Sequence, residues 1–315
     1  MIGSKKLHFV LFLFFITFTV INLLFFLTKY ILLEKETEQY FPKVETVKNL
    51  PVDGSETSLN TQDLDTKRDV AIRVQNKQDN NKLKQIAIVI DDLGIRTVRY
   101  YLLDLMENKI NLAIMPGEEH SLDLVKYYKM KRNCELLMHM PMEPFATKED
   151  KESGHFKTIG YKYILTSSDS KKDIRSKLDE SFDSLLGAAA ISGINNHMGS
   201  YVTSSRNMVN EIVRWSKRNK LYVLDSLTSP SSVFYEQARK SRVKAAYNQV
   251  YLDNIDDSDY IKKQLEHVQQ LADKEGQVIA IGHINKNYTM EVLFEWMPLA
   301  VEQGYTFVFV SELAQ

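Results

Sequence analysis

The chain has 315 residues, with 40 basic against 41 acidic side chains and a formal net charge of −1. That balance excludes a nucleic-acid protein driven by global charge, and the lone cysteine, Cys134, excludes an intramolecular disulfide. An apolar fraction of 44% supplies a globular core, and the length allows one large domain with appendages or two small ones.

The first element is an uncharged apolar run over 9–27 behind Lys5 and Lys6. At 1.5 Å per residue its roughly 19 positions reach about 29 Å, the depth of a bilayer core. It exceeds an ordinary signal-peptide core and no small-x-small cleavage site follows, although a cleaved signal remains the alternative. The Lys pair before it predicts the N-terminus inside and the remaining chain on the outer side of a membrane. Residues 1–33 are therefore expected to be a membrane anchor. Residues 34–82 are polar and aperiodic, and are expected to be a flexible stalk with a reach on the order of 40 Å.

From residue 83 to 315 short apolar runs alternate with amphipathic segments. Strands are predicted over 86–90, 111–115, 135–138, 191–194, 221–224, 250–252, 277–281 and 306–310. Helices are predicted over 97–107, 121–131, from Ser168 or Asp169 to 186, from Ser204 or Ser205 to 218, and over 232–239, 258–274 and 288–303. An irregular stretch fills 141–165. Such alternation predicts a parallel sheet covered by helices. Seven or eight units in this length suit a closed or nearly closed barrel, with an open doubly wound sheet as the alternative. In either, a site lies beyond the carboxyl ends of the strands.

Those ends carry the ionisable residues. Asp91 and Asp92 end the first strand, where neighbouring side chains are expected to point to opposite sides. One can bind a metal while the other handles a proton, or both can simply cap. His139 ends the third strand, with Glu143 four residues on. Asn195, Asn196, His197 and Ser200 follow the fourth, Asp225, Ser226 and Thr228 the fifth, Asp253 and Asn254 the sixth, and His283 the seventh. An Asp/His/His set suits Zn²⁺ or a similar divalent ion with open positions for water and substrate. The bland alternative is that Asn195, Asn196, Asp225 and Asp253 cap strands and helices. Tyr161 and Tyr163 either offer a sugar platform or cover the barrel. Cys134, in an apolar run, is read as an inert buried thiol.

The order Asp91-Asp92-Leu-Gly94, His139-Met-Pro141-Met-Glu143-Pro144, Gly193-Ile-Asn195-Asn196-His197-Met-Gly199-Ser200, Asp225-Ser226-x-Thr228, Asp253-Asn254 and Gly282-His283 resembles the divergent polysaccharide deacetylases, relatives of the NodB-type carbohydrate esterases. The resemblance covers about 84–315. It implies a distorted (β/α) barrel of about seven parallel strands, with Asp91 as catalytic base and Asp92 as metal ligand. His139 becomes a second ligand. The relatives' His-x-x-x-His reads His139-x-x-x-Glu143 here, so either Glu143 or His197 completes the metal site. His197 is preferred, because Pro141 and Pro144 disfavour the helical turn an i, i+4 pair needs. His283 maps to the acid, Asp225 to a group that orients a neighbour or contacts substrate, and Asn196, Ser200 and Asp253 to substrate contacts. The third, Arg-containing NodB motif is not visible, and Tyr201 stands where the divergent family often has a basic residue. The implied protein is a metal-dependent hydrolase, with zinc as the expected ion, that removes acetyl groups from an envelope polysaccharide on the outer side of a bacterial inner membrane. The alternative is a non-catalytic glycan-binding or assembly module on the same scaffold.

Overall fold

A computed structural model of the chain describes residues 83–95, 100–146 and 160–315. The expected anchor, the stalk and their boundary lie outside the described residues. Among the described residues no helix is long and apolar enough to cross a membrane.

In chain order the elements are β1 (Gln85–Leu93), α1 (Tyr100–Leu105), β2 (Ile110–Ile114), α2 (Ser121–Tyr128), β3 (Cys134–Met142), α3 (Lys171–Ser184) and β4 (Gly193–Met198). They continue as α4 (Ser200–Ser204), α5 (Arg206–Arg218), β5 (Tyr222–Asp225), α6 (Phe234–Lys240), β6 (Ala245–Tyr247) and β7 (Val250–Tyr251). The last are α7 (Ser258–Glu275), β8 (Gln277–His283), α8 (Thr289–Glu302), β9 (Thr306–Phe307) and α9 (Val310–Leu313). Eight strands form one path, β6-β5-β4-β3-β2-β1-β8-β7, with β9 joined to β1. The pairs are parallel throughout. The architecture is thus the expected curled parallel sheet wrapped by helices. Among the described residues it has nine strands where seven or eight were expected; the strand without a predicted counterpart is β6, whose three residues give too short an apolar pattern to read. The run over 306–310 splits into β9 and the start of α9.

The alternation of side chains builds two cores. Ile86, Ile88 and Ile90 pack outward under the helices with Leu112, Met138, Ile194 and Val223. Ala87 and Val89 face inward with Ala113, Leu137, Leu224, Ile279 and Ile281. Val310, Leu313 and Ala314 of the C-terminal segment join that inner cluster. Each valine, leucine, isoleucine or methionine side chain among them taken from water contributes about 1.5–3 kcal/mol. The inner core ends where polar residues take over the same parity: Asp91 after Val89, His139 after Leu137, Ser226 after Leu224 and His283 after Ile281. The strands therefore deliver their polar ends into the mouth of the barrel by simple period-2 continuation.

Helix ends are chemically marked. Ser170 Oγ accepts from Asp173 N at 3.2 Å and Asp173 Oδ2 accepts from Ser170 N at 3.0 Å, a capping box that starts α3. Asp257 caps α7 through Tyr260 N, and Gly276, at φ 87°, ends it. Pro141 lies within β3, whose pairing with β2 stops at Met138. Beyond that point Leu165 takes the place of β2, donating to Pro141 O at 3.0 Å. The missing N–H of Pro141 thus falls past the end of the ladder.

Candidate metal centre

Asp91 and Asp92 do not diverge as ideal alternation requires. The β1–β2 register shifts between Ile90 and Leu93, and Asp92 has a left-handed backbone, φ 68°. The bulge turns Asp92 back to the side Asp91 already faces. Both carboxylates then approach one imidazole nitrogen: His139 Nε2 lies 3.6 Å from Asp91 Oδ2 and 3.3 Å from Asp92 Oδ1. Left-handed geometry costs a non-glycine residue about 1–2 kcal/mol, and Asp tolerates it better than most. The turn also needs Gly94, at φ 114°, where a Cβ would sit 2.3 Å from Ser121 Oγ.

His197 completes the cluster from β4. Its Nδ1 lies 2.9 Å from Asp92 Oδ1 and 3.2 Å from His139 Nε2. The three donor atoms form a triangle with sides of 2.9, 3.2 and 3.3 Å. Three vertices of a tetrahedron around an ion with bonds of about 2.0–2.2 Å would lie about 3.3–3.6 Å apart. The triangle is slightly tighter than that and closes around one point.

The atoms facing away from that point are each engaged. Asn285 Nδ2 donates to Asp92 Oδ2 at 3.0 Å. Asn195 Oδ1 stands 3.0 Å from His139 Nδ1, while its Nδ2 donates to Asp91 Oδ1 at 2.9 Å. Tyr161 Oη stands 3.0 Å from His197 Nε2. With those protons placed outward, His139 Nε2 and His197 Nδ1 turn lone pairs toward Asp92 Oδ1. That oxygen is buried and has no hydrogen-bond partner. An orphaned carboxylate oxygen facing two imidazole lone pairs, each ligand held from behind, fits a divalent cation. Asp92, His139 and His197 are also the one such group among the described residues.

Residues 88–314 match the family described as divergent polysaccharide deacetylase. The chain belongs to that family. Similar proteins include the uncharacterised protein YibQ of Escherichia coli K12, 29% identical over 199 residues, covering 63% of this chain and 58% of that protein. An uncharacterised Haemophilus influenzae protein is 26% identical over 209 residues, covering 66% of this chain and 69% of its own length. The crystal structure of an uncharacterised Agrobacterium tumefaciens C58 protein shares the fold, with a TM-score of 0.64 at 19% identity, over 73% of this chain and 89% of that one.

This deacetylase-family barrel has further polar groups at its mouth, and they divide by parity. His283 faces inward, opposite Asp91 in the β1–β8 register. Asp253 holds its Nδ1 at 2.7 Å and its backbone N at 2.6 Å, and Thr289 Oγ1 donates to the same carboxylate at 2.7 Å. Burial works against charge on His283, but Asp253 outweighs it and pushes the pKa up to about 9. Burial drives the Asp91 carboxyl up, against the pull of His139 and His283. Burial also opposes ionisation of Asp92; when His139 and His197 carry protons on the nitrogens facing it, rather than the lone pairs that would meet a cation, their hydrogen bonds and charge hold it well below the usual carboxylate range.

Other expected site residues have different partners. Asp225 was expected to orient a neighbour or contact substrate. It has the outward parity of Val223 and accepts from Ser232 Oγ, Tyr235 N and Leu227 N at 2.7, 3.1 and 3.0 Å, so it caps the loop into α6. Asn196, expected to contact substrate, also has outward parity and ties Ser226 N, Met198 O and Thr228 Oγ1 together. Asp253 is closed over by His283 and Thr289, which makes it a holder of the histidine rather than a substrate contact. Ser200 Oγ accepts from Phe145 N at 2.8 Å and pins the strand ends. Glu143 stands outside the metal triad: its carboxylate accepts from Ser167 N and from Ser167 Oγ. Tyr163 is buried in the outer core, and burial pushes the half-buried Cys134 thiol up to about 11. Asn195, Asn285 and the Tyr161–His197 contact carry roles that the motif pattern did not assign. The available signal was parity, since Asn195 precedes His197 by two residues and Asn285 follows His283 by two.

Proposed function

We propose that this chain is a membrane-anchored, metal-dependent deacetylase of an envelope polysaccharide, acting on the outer side of a bacterial inner membrane. The observation that carries the metal dependence is the buried, unpartnered Asp92 Oδ1 facing His139 Nε2 and His197 Nδ1. The family supports the carbohydrate substrate, and the run over 9–27 supports the anchor.

Asp92, His139 and His197 would hold the ion, with zinc matching a carboxylate and two imidazoles. Bound there, it would acidify water and polarise the acetyl carbonyl. Asp91 would take the proton of the attacking water. Asn195 occupies its Oδ1, leaving Oδ2 toward the site, and burial makes it a stronger base than a surface carboxylate. His283 would give a proton to the departing amine or alkoxide from Nε2, because Asp253 occupies Nδ1. Water adds to the acetyl carbon, the bond to sugar nitrogen or oxygen breaks, and the products are acetate and the free amine or hydroxyl.

The test is acetate release from acetylated glycans by the purified protein with added Zn²⁺. Release should stop with chelator and in Asp91→Asn. No release from any acetylated glycan by protein that demonstrably binds Zn²⁺ would overturn the catalytic reading and leave a glycan-binding module.

A further inference from the structure

Phe145 and Tyr201 stand where a strand-end site usually carries polar groups. Phe145 follows β3 and Tyr201 opens α4 directly after β4, four residues beyond His197. Both rings are turned to solvent, Phe145 48% and Tyr201 37% exposed. They pack edge to face, with centroids 5.6 Å apart and planes at 82°.

The backbone beneath them is fixed. Phe145 N donates to Ser200 Oγ at 2.8 Å, and Tyr201 N donates to Glu143 O at 3.2 Å. Gly199, at φ 83°, lets the two strand ends close, for a Cβ there would lie 2.7 Å from Met142 Cβ. A pair of aromatic rings in the outer core would need no such exposure. These two are pinned through their backbones and keep their rings exposed, just beyond the strands β3 and β4 that carry His139 and His197. Leu227 extends apolar surface on the next strand end, 37% exposed and at φ 54°, a conformation leucine rarely adopts.

We propose that Phe145 and Tyr201 form a stacking platform that holds a pyranose ring of the glycan chain adjoining the acetylated residue. The choice of a glycan rests on the deacetylase reading. A pyranose presents an apolar C–H face bordered by hydroxyls, which suits a fixed aromatic surface with the tyrosine hydroxyl at its edge. Each aromatic side chain has only two χ angles to fix, so ordering the pair on binding costs little. The pair sets which polymer is held and takes no part in proton transfer.

The experiment uses the full chain in detergent with Zn²⁺ and the hexamer of N-acetylglucosamine. Calorimetric affinity for the hexamer is measured alongside kcat and KM for acetate release, and alongside hydrolysis of 4-nitrophenyl acetate. Tyr201→Ala and Phe145→Ala should each weaken hexamer binding and raise KM about tenfold, with kcat and small-ester hydrolysis unchanged. Tyr201→Trp should restore wild-type affinity. Unchanged hexamer affinity in both alanine variants would overturn the platform. So would a parallel loss of small-ester hydrolysis, or failure of the wild type to bind the hexamer. Hexamer binding that weakens in Tyr201→Ala, in a wild type that releases no acetate, would sink the deacetylase reading and leave the platform standing.

Discussion

Asn195→Ala separates a built metal centre from a chance meeting of polar side chains. Asn195 is fully buried and makes three contacts, to His139 Nδ1 at 3.0 Å, Asp91 Oδ1 at 2.9 Å and Ser226 Oγ at 3.4 Å. Removing its carboxamide leaves the His139 N–H without an acceptor and Asp91 short of a donor. Each such loss costs about 1–3 kcal/mol, and a water entering the space recovers part of it. Unfolding free energy should therefore fall by about 2 kcal/mol. The metal effect is separate. Without an acceptor at Nδ1, His139 is free to carry its proton on Nε2, where the ion would bind. Affinity for Zn²⁺ should drop about 10–100-fold. Competition against a chromophoric chelator reads that change, and urea unfolding in excess chelator reads the fold alone. Asn196→Ala is the matched control: it is equally buried, one residue along, and its bonds run to Ser226, Met198 and Thr228. It should lose stability without losing affinity. Zinc affinity within twofold of wild type in Asn195→Ala, or an equal loss in Asn196→Ala, would refute the argument.

Zn²⁺ at about 100 times its dissociation constant should raise unfolding free energy by about 2.7 kcal/mol, and His197→Ala or Asp92→Asn should remove most of that gain. A zinc-dependent melting shift of wild-type size in either variant would contradict the triad. Glu143→Gln should leave Zn²⁺ affinity within twofold, because the Glu143 carboxylate is engaged by Ser167; chelator competition decides it. The third expectation concerns pH in the metal-free protein. His283 is raised to about 9, against about 6.5 for an unfolded imidazole. A raised folded pKa means that stability is fully present below about pH 6.5 and is lost as pH rises through about 9, on the order of 3 kcal/mol in all. Urea midpoints from pH 6 to pH 10 should fall in the wild type and flatten in His283→Gln. Equal slopes would show that the Asp253–His283 pair does not provide this linkage.

The barrel and most of its polar mouth are legible because both depend on repeating local physics. β-branched runs bounded by amphipathic helices imply a parallel sheet. His139, Asn195, His197, Ser226 and His283 reach one side because each continues an inward parity. The same rule, applied residue by residue, sends Asp225 and Asn196 the other way, so motif position was a poorer guide to their roles than strand alternation. Asp92 breaks the rule. Ideal alternation sends it outward, and only the left-handed bulge returns it to Asp91. Met198, at φ 53°, and Leu227, at φ 54°, occupy the same unfavourable backbone region at the ends of β4 and β5. Local propensity works against a methionine or a leucine there, and a strand disfavours it even for aspartate, which tolerates the region better than most. Such conformations persist only where surrounding contacts over-determine them. Asn285 and His197 engage Asp92, Thr228 and Asn196 engage the Met198 carbonyl, and Asp225 engages the Leu227 N–H. Asn285, His197 and Thr228 reach these positions from distant parts of the chain, whereas Asn196 and Asp225 lie only two residues from the groups they engage. Of these bends, the one at Asp92 is what the metal centre needs: His139 and His197 already face inward by alternation, and the left-handed turn brings the donor of β1 to meet those of β3 and β4.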